Sequence, residues 1–188
     1  MKKFLRFSTA IIAIYMLSSC AYFESLFQKK QIAELDSLET APKIDIKKFF
    51  NGDVEGFGIT QDSAGKIIGT VQVKISGKWD ENKGEIKQNF IYDGAAKDSR
   101  IWLVTVNADG TFDAIGHDFI APAQGKQIGN AAQMLYTLNL MDQSSKQPVR
   151  FEDKMYLVDE KSMIEISTYN KVNGISGKTI TSLKKIGN

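Results

Sequence analysis

The sequence predicts an all-β domain, an antiparallel meander of about eight to ten strands that closes into a β-barrel, and three observations predict it. From Asp53 onward apolar residues recur with a period of two, the signature of strands with one buried and one wet face. Clusters rich in Asp, Asn and Gly separate these runs at hairpin spacing, as in Asp80-Glu81-Asn82-Lys83-Gly84, Asp93-Gly94 and Asn107-Ala108-Asp109-Gly110. No helical pattern intervenes between consecutive runs, which therefore pair as a meander. Such a meander can split into a sandwich or close on itself. Closure is the reading adopted, because it removes the exposed strand edges.

The chain of 188 residues opens with a three-part export signal over residues 1–19: basic Met1 to Phe7, apolar Ser8 to Met16, then Leu17-Ser18-Ser19 before Cys20. Its apolar part is too short to span a bilayer as a helix, which needs about 20 residues. Leu17-Ser18-Ser19-Cys20 resembles a lipobox, so Cys20, the sole cysteine, is expected to carry the lipid. Acyl chains on that residue would meet the two-signal requirement for stable membrane anchoring. Ala21 stands where Asp marks lipoproteins for inner-membrane retention, so the outer membrane, on its periplasmic side, is the expected address.

Residues 20–43 read as a lipid-anchored tether. Tyr22, Phe23, Leu26, Phe27, Ile32, Leu35 and Leu38 leave two forms open for it, a short amphipathic helix or a flexible spacer. The barrel domain is assigned to residues 44–188. It starts with a capped helical turn, Asp45 as N-cap and Gly52 as stop, whose Ile46, Phe49 and Phe50 form an apolar plug.

Strands are expected over Asp53–Gln61 and Ile67–Ile75, around Ile86, Phe90 and Tyr92, and around Trp102, Val104 and Val106. Others fall at Thr111–His117, at Ala132 to Leu140, around Val149, Phe151, Met155 and Leu157, at Met163–Tyr169 and at Gly177–Lys184. Gly125-Lys126-Gln127-Ile128-Gly129-Asn130 reads as a turn, since it lacks the Gly-Lys-Ser/Thr of a phosphate loop. A membrane-spanning barrel is set aside because Lys74, Lys87 and Lys154 would face lipid.

Composition is that of an ordinary globular protein, with 43% hydrophobic and 24% charged residues. Downstream of the leader 21 basic residues face 22 acidic ones, without the basic excess of a nucleic-acid binder. His117 is the single histidine, so histidine-rich metal sites are excluded, and no metal or cofactor is expected. His117-Asp118 with Ser99 or Ser167 would be the barest of catalytic sets. Neighbours on a strand point to opposite faces, so His117 and Asp118 read as a solvated strand end and no catalytic residue is assigned. Asp118, Glu152, Asp153 and Glu165 are the carboxylates from which a glycosidase-like pair would have to come, and the wet face of strands is their simpler assignment.

A family resemblance rests on Phe49-Phe50-Asn51-Gly52, Gly56 and Gly58, Gln61 to Lys66, Gly77-Lys78-Trp79-Asp80, Phe90-Ile91-Tyr92-Asp93-Gly94, Arg100-Ile101-Trp102, Gly129-Asn130-Ala131, Tyr136-Thr137-Leu138 and Met155 to Asp159. In order and spacing these resemble a family of bacterial lipoproteins of unknown function. The resemblance implies a lipocalin-like or calycin-like barrel and no assigned activity. This chain departs from it at Gln88-Asn89 and at Glu152-Asp153-Lys154, where acidic pairs and Asp-Asp-Trp are usual. Gly77-Lys78-Trp79 also matches the Gly-x-Trp of lipocalins, but it falls in a later hairpin and reads as coincidence.

Phe57, Phe90, Tyr92, Trp102, Tyr136 and Phe151 are the expected lining of the barrel. The reading of function is a binding module that holds a fatty-acyl or other apolar ligand at the envelope. The alternative is a structural or interaction lipoprotein with a filled barrel. A cavity of roughly 300 Å³ or more separates the first from the second.

Overall fold

The computed structural model describes residues 42–142, 145–171 and 176–186. The expected leader, Cys20 and the tether up to residue 41 lie outside the described residues. A four-residue helix, α1 (Ile46–Phe49), precedes ten strands. They are β1 (Gly52–Asp62), β2 (Ile67–Asp80), β3 (Lys83–Tyr92), β4 (Ala96–Val106), β5 (Thr111–Ile115), β6 (Ala123–Ile128), β7 (Ala131–Asp142), β8 (Ser145–Leu157), β9 (Ser162–Lys171) and β10 (Ser176–Ile186).

Each strand pairs antiparallel with its sequence neighbours, and β1 pairs with β10 from Asp53↔Ile186 to Asp62↔Gly177 to close the barrel. The expected all-β barrel is what the chain forms. Turn chemistry sets the hairpins. Asp93 and Gly94 both take positive φ between β3 and β4, and the Asp93 carboxylate accepts the Thr70 N–H at 2.8 Å, tying that turn to β2.

β6 corrects the expectation of a turn over residues 125–130: the turn is confined to Gly129 and Asn130. Gly125 is no loop glycine: it faces the ring of Phe112 on β5, and a Cβ there would run into that ring. A glycine covered by a cross-strand aromatic keeps its place in a strand. β5 stops at Ile115, earlier than expected. His117 and Asp118 therefore lie in the following turn, where they do make contact, Nδ1 to Oδ1 at 3.2 Å. The His117 side chain is 92% exposed there.

The capped turn forms as expected. The Asp45 carboxylate accepts the N–H groups of Lys47 and Lys48, at 2.9 and 3.2 Å, and satisfies donors a short helix leaves free. Five hydrogen bonds dock α1 and its flanking residues across one end of the barrel. Ile44 N–H donates to the Gly129 carbonyl at 2.8 Å, and Ile46 N–H to Gln127 Oε1 at 3.0 Å. Lys185 Nζ, on β10, donates to the carbonyls of Lys48 and Phe49, both at 3.0 Å, and to that of Asn51. Ile46, Phe49 and Phe50 are buried, which contributes about 1.5–3 kcal/mol for each side chain. Gly77, at the end of β2, lets the plug sit this close: a Cβ on it would overlap the Phe50 carbonyl. The Gly-x-Trp of Gly77-Lys78-Trp79 thus has a structural use at the closed end.

Candidate functional site

Inward positions of the strands surround a lumen with a cavity of about 550 Å³. Ile46 and Phe50 of the plug form its floor, with Ile75, Ile86, Val104 and Met155 just above. At the other end it opens between Ile68, Thr70, Asp93 and Met141, where Met141 is 64% exposed.

Five of the six expected lining residues meet on the lumen: Phe90, Tyr92, Trp102, Tyr136 and Phe151. Trp102 and Tyr136 meet edge to face at 5.1 Å between centroids, and Tyr136 stacks on Phe151 at 5.0 Å. Phe119, from the loop after β5, closes against Trp102 at 4.9 Å. Offset and T-shaped pairs of this kind add about 0.5–1.5 kcal/mol each beyond their buried area. Phe90 and Tyr92 stack at 5.9 Å on the β3 side.

Phe57 corrects the sixth assignment. It is 62% exposed, on the outer face of β1. The phase of that strand is set by Val54, which has no exposure and points inward, so Gly56, Gly58 and Thr60 follow it. Leu183 and Val73 crowd Gly56 so closely that a Cβ there would meet them at 2.5 and 2.8 Å. The inner face of β1 is thus held to glycine by its neighbours, and its aromatic residue falls on the wet side.

A polar band crosses this apolar lumen, and the sequence reading did not assemble it. Asp153 on β8, Glu165 on β9, Arg100 on β4 and Gln88 on β3 all line the cavity. Gln88 accepts the Trp102 indole N–H at 2.7 Å, and Tyr136 donates its hydroxyl to Asp153 Oδ2 at 2.9 Å. Arg100 pairs with Asp98 at 3.0 Å, its guanidinium 5.5 Å from the centre of the Phe90 ring. Asp153 Oδ1 is buried with no hydrogen-bond partner.

Burial pushes the Asp153 carboxyl up to about 6, against the opposing pull of Ser167, Tyr136 and Arg100. Burial and the Asp153 charge push Glu165 up to about 8. Tyr136 is held well above its ordinary value by burial and then by Asp153. The two carboxyls interact, so near neutral pH the pair holds about one proton between them. Of the four acids weighed as a carboxylate pair, the fold brings Asp153 and Glu165 together in the lumen. Asp118 lies at the surface turn with His117, and Glu152 faces Gln133 and Lys154.

Asp153, Gln88 and Arg100 carry a signal in the sequence, which is phase. Asp153 sits in the gap of the apolar series Val149, Phe151, Met155 and Leu157, Gln88 in that of Ile86, Phe90 and Tyr92, and Arg100 two residues before Trp102. A polar residue in the apolar phase of a strand points into the core. Among the described residues no three His, Cys, Asp or Glu side chains converge on a possible metal position.

A family model described as a protein of unknown function (DUF3833) matches residues 22–184. The chain belongs to that family. No match was found among curated proteins. Among solved structures, the chain is similar to the S-type phycobiliprotein lyase CPES of Guillardia theta, with a TM-score of 0.58, 9% identity, and coverage of 77% of this chain and 94% of that one. A protein with unknown function from the DUF3598 family of Nostoc punctiforme aligns with a TM-score of 0.55, 12% identity, and 81% and 53% coverage. At these identities the likeness establishes a shared fold. The fold of this DUF3833 member is a lipocalin-like barrel.

Proposed function

We propose that this DUF3833 protein is an envelope lipoprotein, held to the outer membrane through a lipidated Cys20, whose barrel binds one apolar or fatty-acyl ligand. The observation that carries the binding reading is the lumen itself: about 550 Å³, floored by α1, walled by aromatic rings and open at one end. That volume lies within the range of small-ligand pockets and speaks against a filled scaffold barrel. Burying a chain of about 10–12 methylenes at about 0.8 kcal/mol each suffices for micromolar affinity before ordering costs. The similar structure named a lyase shares the architecture, and its activity is not carried over.

The binding reading is tested by obstruction. Thr179 faces the lumen from β10, half-buried and hydrogen-bonded to Thr60 at 3.2 Å. A Thr179→Trp variant is expected to lose at least about 1.4 kcal/mol, tenfold in affinity, for a fluorescent acyl probe. His117→Ala, at the solvated turn, is expected to leave binding unchanged. Saturable binding untouched by Thr179→Trp would place the ligand elsewhere.

The anchoring reading is motivated by Leu17-Ser18-Ser19-Cys20. Cys20→Ser is expected to abolish incorporation of a radiolabelled or clickable fatty acid and to release the protein from the membrane fraction. Undiminished labelling would refute it.

A further inference from the structure

We propose that Asp153 and Glu165 form a recognition subsite within the lumen, selecting an apolar ligand that carries a hydrogen-bond donor head, best a protonated amine, over one that carries a carboxylate. This deepens the binding reading above and rests on it. Asp153 is 4% exposed and lines the cavity, Tyr136 occupies its Oδ2, and Ser167 stands across from it on β9, yet no donor is placed at hydrogen-bond distance from Oδ1. A buried carboxylate oxygen with no donor at hydrogen-bond distance carries a desolvation cost, which a donor entering the cavity would relieve.

The surroundings decide the sign of that donor. Glu165 lies on the neighbouring strand, where its cross-strand partner is Met155, two residues beyond Asp153, so both acids face the same stretch of lumen. Among the described residues two cations line the cavity: Arg100, which is already shared with Asp98 at 3.0 Å, and Lys171 at the end of β9, six residues beyond Glu165. Acid therefore exceeds base at this level of the barrel. A ligand carboxylate placed here would meet like charge in an environment of low dielectric, whereas an ammonium or hydroxyl would supply the missing hydrogen bond. The rings of Phe151, Tyr136 and Tyr169 then take the adjoining hydrocarbon, and Phe90, beneath the Arg100 guanidinium, lines the cavity on the β3 side.

Three probes of one chain length separate the possibilities: decylamine, decanol and decanoate, each titrated into the full chain at pH 7 and followed by calorimetry. Decylamine is expected to bind about tenfold or more tighter than decanoate, with decanol between them, a difference the size of one modest charge interaction. The Asp153→Asn/Glu165→Gln double variant should bring the amine and the acid to within about threefold while retaining decanol. The head-group series on the unaltered protein needs no variant to fold. If the three bind alike, or if decanoate is preferred, the subsite is overturned and the lumen reading stands. The same holds if the amine preference survives the double variant. If none binds, the lumen reading falls and the subsite with it.

Discussion

Phe49→Ala is expected to destabilise the barrel by about 3–5 kcal/mol, the range for removing a buried ring, while Phe57→Ala changes stability by no more than about 0.5 kcal/mol. The two residues are eight positions apart and equally hydrophobic. Phe49 is 3% exposed, beneath the closed end and edge-on to Phe50 at 5.1 Å, and Phe57 lies on the outer face of β1. Loss of the Phe49 ring leaves a void under α1, which four backbone residues cannot collapse to fill because Lys185, Gln127 and Gly129 fix their position. Urea unfolding at neutral pH measures both costs. Equal effects of the two substitutions would mean that the plug does not seal the barrel.

The second large effect is on pH. Stability is expected to fall as pH rises from about 4.5 to about 8, opposite to the trend set by most paired carboxylates. The sign follows from proton counts. Glu165 titrates near 8 in the folded chain against an ordinary value of 4.5, and Asp153 near 6 against 3.8. Within those windows the native state holds protons that the unfolded chain has released, so raising the pH favours unfolding by up to about 1.4 kcal/mol per unit for each whole proton. The loss is complete above about 8, and below the ordinary values it disappears. Because Glu165 faces a cavity that admits water, the observed slope should be smaller than two full protons would give. Asp109 and Asp159, lowered by hydrogen bonds within their turns, act only at the acid end of the scale.

Glu165→Gln should flatten the part of the curve above pH 6 and raise the urea midpoint at pH 8. Midpoints compared at pH 5, 6.5 and 8 for both proteins decide the matter. A flat curve for the unaltered protein, or an unchanged slope in the variant, would show that the two carboxyls do not share a buried site.

Several elements were legible in the residues alone because their causes are local. Asp45, Ile46, Phe49 and Gly52 specify a capped turn with an apolar face, and nothing distant is needed to read it. Alternation in β2, β7 and β8 fixed which residues face inward, since a strand with one apolar face admits one phase. Asp93-Gly94 set a tight hairpin through backbone conformation alone.

What the tertiary structure decided depends on neighbours that one strand cannot see. β6 exists because Phe112 covers Gly125 across the sheet. Phe57 points to water because Val54 sets the phase of β1, and Leu183 and Val73 leave room there for nothing larger than glycine. The pairing of Asp153 with Glu165 follows from the β8–β9 register, which places residues twelve apart in sequence on the same stretch of wall. Alternation can say that an acid points inward. Only closure of the barrel says which other acid it meets and whether a cation stands between them, because charge coupling depends on distance through space and on how far water is excluded.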